Sequence, residues 1–334
     1  MRPLRYTRAT GVTQAVATVS ADPASAFLAG GTTEVDLVRL GVTAHDLLVD
    51  INDLPLDDVE DLPGGGLRIG ALARMNDVAR DPRVVARYPG ISQALLLGAS
   101  EQLRNMASMG GNLCQRVRCA YFRDGVSPCN KRDPGTGCSA HDGQNRGHAI
   151  LGTSEHCIAT HSSDVAVALV AFDAQVHSIG PSGARVVAIE DFYLQPGDTP
   201  HIEHPLEHGE LIVAMEVPAL RMAAQSLYLK FRDRQSYEFA LVSVLAALQV
   251  QDGLVADVRL ALGGVGTIPW RARRAEAQLV GAPATTTSFA DAAAAELRTA
   301  VVREHNAFKV PLAQRAIVRG LSEAMAAATP EGPR

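Results

Sequence analysis

The chain has 334 residues, 47% of them hydrophobic and 20% charged, with a formal net charge of -5. That length allows two or three domains with a sizeable core, and the acidic balance argues against non-specific nucleic-acid binding, which needs basic patches. No apolar run approaches the roughly 20 residues that span a bilayer, the N-terminal stretch has basic residues but no apolar signal-peptide core, and five cysteines are few, and odd in number, for a disulfide scaffold.

In chain order, TGVTQAVATVSA predicts an amphipathic helix, and AFLAGGTTEVDLVRLG a strand, a glycine turn and a helix. DLLVDIND and GLRIGALARM predict strands with LPGGG as a turn between them, and PGISQALLLGASEQLRNMAS predicts a helix. The next stretch is poor in apolar periodicity and rich in Gly, Pro, Asn and Asp, so it reads as a long loop, which inside a compact domain is usually functional. DVAVALVAFDAQVHSIG predicts helix then strand, ARVVAIEDFYL a strand, and GELIVAMEVP a strand ended by Pro218. Beyond about residue 223 come a strand, an apolar hairpin pair (ALVSVLAALQVQDGLVADVRLALGG) and Ala-rich helices.

Two glycine pairs carry chemistry. AGGTTE (Ala29–Glu34) sits between strand and helix, and SMGGNL (Ser108–Leu113) lies further on. Paired glycines let backbone N–H groups approach an anion, and a following helix N-terminus adds partial positive charge. Either could equally be a tight turn without a ligand, and neither is a G-x-G-x-x-G or Walker A loop. Together they could embrace a diphosphate from two sides.

All five cysteines fall between Cys114 and Cys157, with intervening gaps of four, nine, eight and eighteen residues. Two disulfides in one loop are possible in an oxidising compartment. Structural zinc prefers C-x₂₋₄-C pairs, which only Cys114/Cys119 offers. Widely spaced thiolates on a Gly/Pro-rich loop also suit an iron–sulfur cluster.

FLAGGTTEVDLVRLG followed by RNMASMGGNL resembles the two flavin loops of the FAD-binding subunits of the xanthine dehydrogenase / molybdenum hydroxylase family. ATHSSDVAVALVAFDAQV (Ala159–Val176) is similar to the segment ending the second loop, and YLKFRDR and LALGGVGTIPWRAR to the C-terminal domain. The resemblance spans most of residues 3–320 and implies an α+β fold. Residues 1–222 would form an FAD-binding domain of the PCMH (vanillyl-alcohol oxidase-like) type, with two subdomains sandwiching an extended FAD. Residues 223–330 would form a CO dehydrogenase flavoprotein-type domain with an antiparallel sheet and helices.

Residue by residue, the resemblance implies that Phe27, Leu28, Ala29, Gly30, Gly31, Thr32, Thr33 and Glu34 wrap the pyrophosphate, with Gly30, Gly31 and Thr32 donating backbone N–H groups. Ala107, Ser108, Gly111 and Asn112 would hold its other side, and Ile212 joins the cofactor-binding set. Asp164 would bind the adenosine ribose, and Lys230 would lie near the isoalloxazine, where positive charge stabilises reduced, anionic flavin. Read from the residues alone, Asp164 is a helix N-cap and Lys230 a solvated strand residue.

The insertion at 114–157 resembles, through RCAYFRDG, SPCNKRDPGTGC and HAILGTSEHCIATH, the iron–sulfur loop of the flavin subunits of bacterial aldehyde oxidoreductases, and more loosely that of 4-hydroxybenzoyl-CoA reductases. This implies a [4Fe-4S] cluster on Cys119, Cys129, Cys138 and Cys157, with Cys114 a buried apolar thiol outside it. Arg118, Lys131 and Arg132 would offset the cluster's negative charge or serve as loop-surface charges. His141, His148, His156 and His161 read as loop residues or as groups behind the ligands. The implied function is electron relay. A large molybdenum-cofactor subunit oxidises the substrate, an aldehyde by preference, and a small [2Fe-2S] subunit passes electrons to this chain's FAD and on to an external acceptor. The flavin subunit of an acyl-CoA- or purine-directed enzyme, or a stand-alone flavin- or zinc-binding module, is the alternative. The expected compartment is the cytoplasm, or the periplasm through co-export with a partner carrying a twin-arginine signal.

Overall fold

The computed structural model describes residues 3–328; residues 1, 2, 329 and 330 of the expected domains lie outside the described residues. The chain opens as a three-stranded parallel sheet in the order Arg5–Arg8, Leu47–Asp50, Ser25–Leu28. The middle strand, LLVD, is buried at every position, as expected for a parallel strand covered on both faces. The helix Val12–Ser20 packs Ala15, Val16 and Val19 into the core that includes Val49 of that strand.

A second sheet is antiparallel, with five strands in the order Val59–Asp61, Leu67–Gly70, Leu211–Val217, Gln175–Gly180, Gly183–Ala188. The turn Arg221–Gln225 leads from it to a third sheet, also antiparallel, in the order Trp270–Arg271, Leu254–Gly263, Val242–Gln251, Leu227–Phe231. The helices Arg273–Leu279, Thr286–Glu296 and Lys309–Ala328 share a core with this sheet. The helix Asp164–Ala171 is buried at all eight positions. One core joins it to strands of both antiparallel sheets, which explains why DVAVALVA is apolar all round rather than on one stripe.

The fold is the expected α+β arrangement, with local differences. The helix predicted across PGISQALLLGASEQLRNMAS is two helices, Pro89–Leu97 and Glu101–Met106. Ala99 takes a left-handed φ of 49° between them, and Ser100 caps the second by accepting from the Leu103 N–H at 3.4 Å. The strand predicted over ARVVAIEDFYL stops at Ala188, where Ile189–Phe192 turns helical. The second glycine pair is itself helical over Met109–Leu113, with Ser108 as N-cap.

Candidate cofactor site

One cavity of about 1140 Å³ lies between the two glycine loops, and every residue expected to touch a flavin lines it except Leu28. Leu28 ends its strand, with its side chain against the Gly31 position. The loops meet directly: a Cβ on Gly30 would stand 1.9 Å from the Met106 carbonyl oxygen. Gly31 contributes backbone freedom instead, with φ at 70°. Gly111 lies in the first turn of the short helix that Ser108 caps. Its N–H donates to the Ser108 hydroxyl at 3.2 Å, and an added Cβ would meet only that hydroxyl, at 2.8 Å.

Glu34 is already engaged, accepting from His45 Nε2 at 2.8 Å and from the Thr43 hydroxyl at 3.1 Å. Burial pushes its carboxyl up, but the bonds from His45 and Thr43 outweigh this and hold it below the usual range. It therefore braces the start of the helix Glu34–Leu40 against the following loop. Asn112 links the second loop to the next segment, accepting from the Ser163 hydroxyl at 2.5 Å.

Asp164 and Lys230 form a buried pair. Lys230 Nζ donates to Asp164 Oδ2 at 2.7 Å and to the Leu97 carbonyl at 3.1 Å, and the Tyr228 hydroxyl donates to Asp164 Oδ1 at 2.7 Å. The helix N-cap is Ser163, not Asp164, and the Lys230 side chain is 1% exposed, so neither reading taken from the residues alone holds. The two groups expected at different parts of the cofactor pair with each other in this structure. Removing one partner of a buried ion pair strands the other charge, at a cost of about 3–5 kcal/mol. Asp164→Asn and Lys230→Met are each expected to lower the melting temperature sharply, and the double variant by less than the sum. Strict additivity in thermal melts would show that the pair is not coupled.

Sequence reasoning missed Arg116 and Arg123 and read Arg118 only as a charge near the cysteines. Arg116, Arg118 and Arg123 all line the cavity. Arg118 Nε and Arg123 Nη1 are buried without a hydrogen-bond partner among the described residues, a donor set suited to an anionic diphosphate. Arg118 also lies 5.3 Å over the Phe239 ring, which comes, with Arg234, Tyr237 and Glu238, from the connection between two strands of the third sheet. A C-terminal segment thus completes the cavity wall. The cue in the sequence was QRVRC, directly after the second glycine pair.

The cysteine loop is ordered by its own contacts. Cys119, Cys129, Cys138 and Cys157 line one small cavity, Cys129 and Cys138 stand opposite each other as an antiparallel bridge pair, and none of the five is in a disulfide. Asn130 Oδ1 accepts from the N–H groups of Gly135 at 3.1 Å and Gly137 at 2.8 Å, and its Nδ2 donates to the His156 carbonyl at 3.1 Å. This buried side chain, unread in the sequence, ties the turn between Cys129 and Cys138 to the approach to Cys157. Burial pushes the thiols of Cys119 and Cys157 up to about 12 and about 11, so a metal must displace their protons. Among the described residues, no three His, Cys, Asp or Glu side chains converge on a single ion, as structural zinc would require.

The charges divide differently from expectation. Lys131 is buried beside Cys157, but Arg118 belongs to the large cavity. Arg132 Nη1 donates to the carbonyls of Tyr121 and Phe122, each at 2.9 Å. His148 Nε2 lies 3.2 Å from Cys119 Sγ, and His156 pairs with Asp198 at 3.3 Å. Cys114 does not line the four-cysteine cavity; it borders the large one, and burial, followed by the charge of Glu203, pushes its thiol up to about 12. A narrow second cavity, lined by Cys114, Lys131, Cys157, Glu203 and His204 among others, lies between the two.

Residues 2–220 match the family described as the FAD binding domain in molybdopterin dehydrogenase, and residues 227–324 match the CO dehydrogenase flavoprotein C-terminal domain. The chain is 47% identical to the aldehyde oxidoreductase FAD-binding subunit PaoB of Escherichia coli, over 98% of this chain and 100% of that one. It is 26% identical to the glyceraldehyde dehydrogenase medium chain of Sulfolobus acidocaldarius, over 83% of this chain and 80% of that one. Among solved structures, carbon monoxide dehydrogenase from Hydrogenophaga pseudoflava superposes with a TM-score of 0.76 at 25% identity, covering 98% of this chain and 100% of its counterpart.

Proposed function

The chain belongs to the family of FAD-binding subunits of molybdopterin dehydrogenases, and on that premise we propose that it is the FAD- and [4Fe-4S]-containing electron-transfer subunit of a molybdenum-dependent aldehyde oxidoreductase. The observation that carries this reading is that four cysteine side chains line one small cavity, and that a narrow cavity shares lining residues with both it and the large one. The full-length likeness to an aldehyde oxidoreductase subunit favours aldehyde over acyl-CoA or purine as the substrate class.

Bound in these cavities, FAD and the cluster supply two- and one-electron transfer that no amino-acid side chain offers. The chain's own residues do the rest. Gly30 lets the first loop lie against the second, Gly31 supplies the left-handed turn beside it, and Arg118 and Arg123 present cations to the anionic part of the cofactor. The Asp164–Lys230 pair stiffens one wall, and Cys119, Cys129, Cys138 and Cys157 offer a sulfur-only donor set. An all-sulfur set spread around a cavity, with no convergence on one point, fits a polynuclear cluster better than a single zinc ion.

Substrate oxidation is assigned to a large molybdopterin subunit, and electron delivery to a small [2Fe-2S] subunit. Among the described residues no helix is long and apolar enough to cross a membrane. Sedimentation of the native complex is expected to give a mass well above the 35.3 kDa of this chain, with three kinds of chain present. A fully active lone monomer would contradict the proposal.

A further inference from the structure

We propose that Glu203 is a positioning residue that sets the charge beside Cys157 and thereby lowers the reduction potential of the iron–sulfur centre; the inference rests on the cluster proposed above. Glu203 lies on the long connection between the helix Ile189–Phe192 and the strand Leu211–Val217. Its backbone is pinned where the Leu194 N–H donates to its carbonyl at 3.0 Å. Its carboxylate bridges the two sites: Oε1 accepts from Lys131 Nζ at 3.0 Å, and Oε2 pairs with Arg116 Nε.

Each cation belongs to a different site. Arg116 lines the large cavity, and Lys131 lies with Cys157 on the narrow one. The Lys131 side chain is 8% exposed, and its only other partner among the described residues is the Pro200 carbonyl, at 2.7 Å. Lys131 is also the largest influence opposing the rise that burial imposes on the Cys157 thiol. Burial pushes the Glu203 carboxyl up, but Arg116 and then Lys131 outweigh it, so the group is held ionised.

The sign follows from electrostatics. A cation beside a cluster ligand favours the reduced, more negative form, and charge near the sulfurs is one of the protein's levers on potential. One carboxylate shared between two buried cations offsets part of that effect, and buried charges are little screened by salt. Neutralising Glu203 uncovers Lys131 and should raise the potential; neutralising Lys131 leaves Glu203 to Arg116 and should lower it. A purely structural tether would give no such opposition of sign.

The test is a redox titration of the iron–sulfur signal in the purified, iron-loaded complex, with iron content measured alongside. Glu203→Gln is expected to shift the midpoint upward and Lys131→Gln downward. The double variant should return toward the wild type, and Glu203→Asp, which keeps the charge, should stay near it. With iron retained, an unmoved midpoint in both single variants, or shifts in the same direction, overturns the proposal. If Glu203→Gln does not hold iron, Lys131→Gln decides alone: a downward shift supports the proposal, and no shift or an upward one overturns it. Wild-type complex with no iron in this chain would instead overturn the cluster assignment, and this inference with it.

Discussion

Replacing any one of Cys119, Cys129, Cys138 or Cys157 with serine is expected to remove the iron–sulfur centre from this chain, while Cys114→Ser leaves iron unchanged. The four side chains line one cavity that Cys114 does not reach. Serine keeps the size of cysteine but is a harder and far more basic ligand, so the remaining three thiolates should hold the centre weakly or not at all. The structural consequence should be uneven. Ile150 N–H donates to the Val265 carbonyl at 2.8 Å, Asn306 Nδ2 to the Ala149 carbonyl at 3.2 Å, and buried Lys309 Nζ to the Gly147 carbonyl at 3.0 Å. Those bonds tie the second half of the loop to the C-terminal domain whether or not metal is present. Loosening should therefore concentrate around Cys119, Cys129 and Cys138, where hydrogen exchange should quicken. Iron and sulfide analysis of all five single variants decides. Iron lost from Cys114→Ser but kept in one of the other four would shift the ligand set by that residue, and iron kept in all five would mean there is no cluster here.

Gly30→Ala is expected to yield folded protein with little or no FAD. The added carbon would sit 1.9 Å from the Met106 carbonyl oxygen, a backbone atom that no side-chain rotation can move aside. Relief requires the two loops to separate, which widens the cavity where the pyrophosphate should lie. Overpacking of this kind costs about 1–3 kcal/mol, and about 1.4 kcal/mol is tenfold in affinity, so flavin affinity should fall by about fivefold to a hundredfold. Gly31→Ala should be milder, since its penalty is the left-handed φ, about 1–2 kcal/mol, and the nearest atom to its new carbon is a side-chain methyl of Val35 at 3.1 Å rather than a backbone atom. Gly41→Ala is the control: φ is 73°, nothing lies within 4 Å, and Gly41 does not line the cavity. It should lose stability and keep flavin. The flavin-to-protein absorbance ratio, with thermal melts, separates the three, and Gly30→Ala purifying with a full complement of flavin would remove these loops from the site.

Much of this was legible in the residues. The glycine pairs, the strand–turn–helix around AGGTTE and the apolar hairpin of the C-terminal domain all reflect local demands: positive φ, close backbone approach, and a continuous apolar run for a strand buried on both faces. Where local signals were weak or mixed, the reading slipped. Ser100 looked like one polar residue within a helix, yet it caps a new one, because Gly98 and Ala99 leave helical geometry just before it.

By itself, the sequence determined the fold class, the two loops that border the cavity and the confinement of every cysteine to one insertion. Only the tertiary structure decided which charges meet. Lys230 lies 66 residues from Asp164, and Lys131 lies 72 residues from Glu203. A carboxylate looks the same in sequence whether it caps a helix, binds a ribose or neutralises a buried lysine. Its partner is chosen by how the sheets and the helix Asp164–Ala171 pack, and the desolvation of both groups then makes that choice costly to undo.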